Sequence, residues 1–133
     1  MRAGTKSNRQ RADAGAKRGR MAKGRFLAEF ELYVMLAVLR LGSAAYGVTI
    51  RREIEERTRR PVSIGAVYAT LARLEEKGLV RFRVSEPLPV QGGRSRKYVQ
   101  LTALGVRAVR HSVAMLGRMA DGLTTRWAVE ELR

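Results

Sequence analysis

Ser63, Gly65, Ala66, Tyr68, Thr70 and Arg73 fall within one short stretch, and Arg94, Arg96 and Lys97 follow a little further on. The first group is small, hydroxylic or cationic; the second is cationic. Between Ile64 and Leu74 the one charge is Arg73, and the acids Glu75 and Glu76 come only after it. Such residues suit the non-covalent capture of phosphate. Backbone N–H groups and hydroxyls at a helix start donate to phosphate oxygens, and guanidinium and ammonium groups neutralise their charge. Residues 63–98 therefore form the informative block: a helix with a carboxylate-free outer face, followed by a basic hairpin.

The elements that must hold this block are readable from periodicity. Residues 29–41 predict a helix, with Glu29 and Glu31 at its positive end and Gly42 closing it. Phe30, Tyr33, Val34, Leu36, Ala37, Val38 and Leu41 cover nearly its whole circumference, so it is expected to meet both its own core and a second subunit. Ser43 is expected to cap a second helix over residues 46–58. Its inner stripe is Tyr46, Ile50 and Ile54, and its charges pair at i, i+4: Arg51 with Glu55, Arg52 with Glu56, Glu53 with Arg57. Tyr46 reads as core, with its hydroxyl near the surface.

Arg59, Arg60 and Pro61 interrupt the chain, and Ser63 caps a third helix with the core stripe Ile64, Val67, Leu71 and Leu74. Gly78 is the expected left-handed residue after it, with Leu79 packing behind. Gly65, Ala66, Ala69, Thr70 and Arg73 are expected to face outward, with Tyr68 at the border. Tyr68 has two compatible readings: the ring packs under the second helix with its hydroxyl out, or that hydroxyl contacts a phosphate. Val80, Phe82 and Val84 alternate with Arg81 and Arg83 as a strand, and Lys97, Val99 and Leu101 return. Between them Pro87, Pro89, Gly92 and Gly93 mark a loop. Residues 79–98 carry five basic residues against Glu86 alone.

Thr102 is expected to cap one long final helix. Val106, Val109, Val113, Leu116, Ala120, Leu123 and Trp127 recur at alternating spacings of three and four, the seam of a self-associating helix. Gly105, Gly117 and Gly122 weaken it as an isolated helix by about 1 kcal/mol each relative to Ala, so it needs a partner surface. Trp127 is expected to anchor that interface; its other reading is an aromatic platform for a flat apolar effector. Met115 and Met119 read as filler rather than a ligand box.

Composition narrows the function classes. There is no cysteine, which removes disulfides and thiolate metal sites and is compatible with the cytoplasm. His111 is the only histidine, so no metal site is expected, and no cofactor is. Neither a nucleophile–base pair nor a glycine-rich phosphate loop after a strand supports an enzyme. No apolar run reaches the length of a membrane span. The net charge of +15 on 133 residues favours polyanions. Nine basic residues lie at or before Arg25 against Asp13 alone, so this stretch carries eight of those fifteen charges. Residues 1–24 have no aliphatic or aromatic face to bury and are expected to be a disordered, solvated tail adding non-specific attraction to DNA. A minor-groove arm and a true start at Met21 are the alternatives.

Three helices, a basic hairpin and a trailing helix describe a winged helix-turn-helix, whose third helix enters the major groove. The segments EFELYVMLAVLRLG, AYGVTIRREIEERT, VSIGAVYATLARLEEKGLV and GGRSRKYVQLTALG, within residues 29–105, also resemble the PadR family of bacterial transcriptional regulators. The resemblance implies a mainly α fold with a two-stranded β wing and a C-terminal dimerisation helix, in the branch with a single such helix. It implies a homodimer on double-stranded DNA, usually a repressor, whose DNA affinity often responds to a small-molecule effector or to stress. The implied DNA-facing residues are Ser63, Gly65, Ala66, Tyr68, Thr70, Arg73, Arg94, Arg96 and Lys97. The expected division is a tail over 1–25, a DNA-binding domain over 26–102 and a dimerisation helix over 103–133. A nucleoid-associated, cytoplasmic regulator is the expectation; a non-specific architectural binder is the competing one.

Overall fold

The computed structural model describes residues 27–85 and 96–131. The basic tail, the loop with Glu86, Pro87, Pro89, Gly92 and Gly93, and Arg94 lie outside the described residues. The elements in chain order are α1 (Glu29–Leu41), a 3-10 turn (Gly42–Ala44), α2 (Gly47–Thr58), α3 (Ile64–Glu76), β1 (Val80–Val84), β2 (Lys97–Leu101), α4 (Ala103–Ala120) and α5 (Thr124–Glu131).

α1 starts where Glu31 turns back to accept the Ala28 N–H at 3.0 Å, and it stops at Gly42, whose φ of +57° suits a residue without a Cβ. Leu32, Val34, Met35, Ala37 and Val38 are buried, while Phe30, Tyr33 and Leu36 are half-covered and Leu39 is exposed. The helix is thus the centre of the core and keeps an unfilled apolar side. α2 is not capped by Ser43, which lies in the 3-10 turn. Thr49 does that work: its Oγ1 accepts the Tyr46 N–H at 3.0 Å and donates to the Ala44 carbonyl at 2.7 Å. Thr at the third helical position reaches back to the N–H of Tyr46, the residue that precedes the helix, and so fixes the chain's entry into it. Ile50 and Ile54 are buried as the stripe predicts. Of the three i, i+4 pairs, Arg57 with Glu53 closes at 2.6 Å and Arg51 with Glu55 at 3.7 Å, and Arg52 with Glu56 does not close.

α3 begins at Ser63, whose Oγ accepts the Ala66 N–H at 3.0 Å. It ends with Gly78 N–H on the Glu75 carbonyl and Leu79 N–H on the Leu74 carbonyl, both at 2.9 Å, with Gly78 at φ +74°. Leu79 is thereby driven into the core beside Leu71, Leu74, Met35 and Ile50. Each such side chain contributes about 1.5–3 kcal/mol by leaving water.

The strands are antiparallel, with Val80 opposite Leu101, Phe82 opposite Val99 and Val84 opposite Lys97. The expected apolar face fades along its length: Val80 is buried, Phe82 half-buried and Val84 66% exposed, because the hairpin leaves the body as it extends. Two strands alone are marginal. Here the hairpin is fastened by the Val99 N–H on the Ala45 carbonyl at 2.8 Å and the Thr102 N–H on the Leu79 carbonyl at 3.0 Å.

Thr102 caps α4 as expected, accepting from Gly105 N at 3.1 Å and donating to the Gly78 carbonyl at 2.7 Å. The single long helix does not continue to the end of the chain. α4 stops at Ala120, Gly122 takes φ +77°, and α5 starts a new axis at Thr124. Leu123 and Trp127 therefore do not prolong one straight seam with Val106–Ala120. A turn, with Asp121 at φ −57°, ψ 131° and Gly122 in the positive-φ position, ends the helix where the spacing pattern alone runs on. Gly105 also has a second role beyond weakening the helix: a Cβ there would collide with the Leu79 carbonyl oxygen. α4 thus packs backbone to backbone against Leu79, in the link between α3 and β1.

Candidate nucleic-acid interface

The outer side of α3 is built by subtraction. Ser63, Gly65, Ala66 and Ala69 are exposed, and the first turn carries no acid. Beyond its own helix backbone and chain neighbours, no atom of the described residues lies within 4 Å of where a Gly65 Cβ would be, so none of them requires a glycine there. Glycine costs a helix about 1 kcal/mol relative to Ala; here it leaves the surface low and the N–H groups open at the positive end of the helix.

Tyr68 is 51% exposed, and its ring lies over Gly47 at the start of α2. Its hydroxyl end is held at the junction of the two helices, so both readings of Tyr68 are compatible with this placement. Thr70 corrects an expectation. It is 1% exposed and faces the interior, because position 70 falls between Val67, Leu71 and Leu74 on the buried side. Its Oγ1 accepts from Arg73 Nη2 at 3.1 Å, so it braces an exposed arginine instead of reaching out itself. Arg73 sits ten residues past the cap, about 15 Å along the axis from Ser63.

The wing carries its cations on both faces. Arg96 lies over the Tyr46 ring at 4.5 Å, and Arg83 lies over Tyr98, its cross-strand partner, at 5.0 Å. Tyr46 and Tyr98 meet edge to face at 5.6 Å. Lys97, one residue along the strand, points to the opposite face and lies 4.3 Å over Phe82. Arg96 and Lys97 thus share a strand end but not a surface. Tyr46 and Gly47, adjacent at the start of α2, carry the wing arginine and the α3 tyrosine respectively. Neither partnership was readable beforehand; the one signal was an aromatic–glycine pair at a helix start.

Below this surface, Lys77 Nζ donates to Glu31 Oε2 at 2.7 Å and ties the end of α3 to the start of α1. Burial would raise the Glu31 pKa. The Lys77 hydrogen bond, the Ala28 N–H and the charges of Lys77 and Arg73 outweigh it and hold the carboxyl below its usual range.

Of the expected seam, Val109 is buried in the core and Val106 is half-covered. Val113 and Leu116 (60%) are exposed, as are Met119, Trp127 (52%) and Val129. A cleft of about 470 Å³ between α1 and α4 is lined by Leu27, Leu32, Tyr33, Met115, Leu116 and Met119, among others; Trp127 is not among them. Among the described residues no group of three metal-ligating side chains occurs, and no helix is long and apolar enough to cross a membrane.

Residues 35–111 match the family model described as the transcriptional regulator PadR-like family. A search of curated proteins finds no match. Among solved structures, H. salinarum RosR is 28% identical, with a TM-score of 0.57 over 81% of this chain and 91% of that one. A PadR family transcriptional regulator from Eggerthella lenta DSM 2243 is 22% identical, with a TM-score of 0.56 over 94% and 96%. A PadR-like transcriptional regulator from Bacillus cereus strain ATCC 14579 is 18% identical, with a TM-score of 0.59 over 74% and 90%. These likenesses agree with the winged-helix architecture described above. The chain belongs to the PadR-like transcriptional regulator family, and is thus a DNA-binding regulator of transcription and not an enzyme.

Proposed function

We propose that this regulator binds an inverted-repeat operator as a homodimer and represses by occluding the duplex. The observation that carries the reading is the small, uncharged N-terminal face of α3, lifted clear of every carboxylate on its first turns. That face enters the major groove, and the wing follows the adjacent backbone with the cations of one of its faces, Arg96 on the Tyr46 side or Lys97 on the Phe82 side; Arg94 lies outside the described residues. Ser63, Gly65, Ala66 and Tyr68 lie nearest the duplex; Arg73, braced by Thr70, clamps a phosphate further along. Support for the dimer comes from the exposed Val113, Leu116 and Met119 beside the α1–α4 cleft, an apolar surface that a second copy would cover. The same cleft offers an apolar effector a place from which to alter the spacing of the two α3 helices.

Two α3 helices related by two-fold symmetry read half-sites about 10 bp apart. The test is titration of promoter duplexes and scrambled duplexes at about 150 mM salt. Tighter binding to a duplex with inverted half-sites is expected; equal binding to all sequences contradicts the operator. The competing architectural reading draws on the tail, with its eight surplus charges. A chain beginning at Met21 should lose affinity equally on all duplexes and show a flatter salt dependence, leaving the preference intact.

A further inference from the structure

A Cβ built on Gly47 would lie 2.5 Å from Cζ and 2.6 Å from Oη of Tyr68. The Tyr68 ring occupies the space that any other residue at position 47 would fill. Gly47 is not among the residues with positive φ, so its conformational freedom is not what the fold uses. Gly47 is buried, and the three atoms nearest to a Cβ there all belong to the Tyr68 ring. What a side chain at 47 would meet is the far end of a half-exposed ring, free to swing into solvent. Gly105 is the contrast, since its Cβ would strike the Leu79 backbone, which cannot move aside. Folding can thus tolerate alanine at 47, whereas the placement of Tyr68 cannot.

From this geometry we infer that Gly47 is a positioning residue for DNA binding. Its missing side chain holds the Tyr68 hydroxyl at the α2–α3 junction, where it donates to a phosphate of the duplex backbone. The inference rests on α3 facing DNA, as proposed above, and it adds a requirement on a residue of the preceding helix that need not touch DNA. One residue upstream, Tyr46 carries Arg96 of the wing. The first turn of α2 is thereby the common mount of both DNA-facing elements.

The test is a double-mutant cycle on the full chain with Gly47→Ala, Tyr68→Ala and the double variant. The probes are a duplex enriched by the wild-type protein from a random-sequence library and a scrambled duplex of equal length. A hydrogen bond to a charged group corresponds to about tenfold or more in affinity. Gly47→Ala and Tyr68→Ala should each lose about that much, and the double variant should be no weaker than Tyr68→Ala alone. Because what the methyl displaces is the far end of a half-exposed ring, the melting temperature of Gly47→Ala should stay close to that of the wild type. Unchanged affinity in Gly47→Ala, additive losses in the double variant, or a fall in melting temperature that accounts for the lost binding would each overturn the inference. Equal wild-type affinity for enriched and scrambled duplexes would instead contradict sequence-specific recognition. The cycle is read on either duplex, since a phosphate contact acts on both.

Discussion

The guanidinium of Arg96 lies 4.5 Å over the ring of Tyr46, so the last residue before β2 is fastened to the residue that precedes α2. The wing is not a free hairpin. It is fastened to the segment before α2 by this stack, by the Tyr46–Tyr98 edge contact and by the Val99 N–H on the Ala45 carbonyl, and to the residues after α3 by Thr102.

Tyr46→Phe should therefore leave both stability and DNA binding close to wild type, because the ring carries the contact. Tyr46→Ala removes a cation–π contact of about 0.5–1 kcal/mol along with the edge contact. It should weaken DNA binding severalfold and raise hydrogen exchange at the β2 amides. Measuring the Phe and Ala variants side by side separates ring from hydroxyl.

Gly105→Ala should destabilise the fold by about 1–3 kcal/mol or more, since the added methyl meets the Leu79 carbonyl and α4 must shift away. Helix propensity alone predicts the opposite, a gain of about 1 kcal/mol. Urea unfolding decides between them by sign.

The Glu31–Lys77 contact makes a pH-dependent contribution. The Glu31 carboxyl titrates below its usual range in the folded chain. Its stabilisation is therefore complete above the unfolded value of about 4.3 and is lost as pH falls through the lower folded value. Glu31→Gln should cost about 1–3 kcal/mol at neutral pH, with Lys77 left partly buried and without its carboxylate. It should also flatten the acid limb of a stability–pH profile. A variant with an unchanged acid limb would show that the pair carries no linkage.

Leu116→Asp places a carboxylate on the exposed face beside the α1–α4 cleft. It should shift the sedimenting species from dimer to monomer while the helical signal is retained. Leu116 makes the sharper probe than Trp127, because the turn at Gly122 separates Trp127 from the α4 face.

Much of the fold was legible because its signals were local. Ser63 and Thr102 cap their helices, Gly42 and Gly78 end theirs, and the stripe Ile50/Ile54 is buried. Where reading failed, a neighbouring residue competed for the same role. Thr49, not Ser43, fixes the entry to α2, and a turn at Asp121 and Gly122 ends a helix that the heptad spacing carries through. Thr70 lies off the stripe Ile64, Val67, Leu71 and Leu74 and is expected outward, yet it is buried between Val67 and Leu74, with its hydroxyl satisfied by Arg73. Gly47 and Gly105 were opaque for another reason. Each glycine is explained by an atom distant in sequence, the Tyr68 ring or the Leu79 carbonyl. No periodicity in one helix can report on the surface of the next.

The most direct test of α3 as the DNA-facing element is Ala66→Glu. Ala66 is exposed in the first turn, where a carboxylate suits the helix dipole, so the fold should be as stable as wild type or slightly more so. Facing a phosphate backbone, the same charge should lower affinity for the enriched duplex by about tenfold or more, at a cost of about 1.4 kcal/mol per tenfold. Loss of binding in a fully folded protein is the predicted result. Wild-type affinity in that variant would contradict the placement of α3 against DNA.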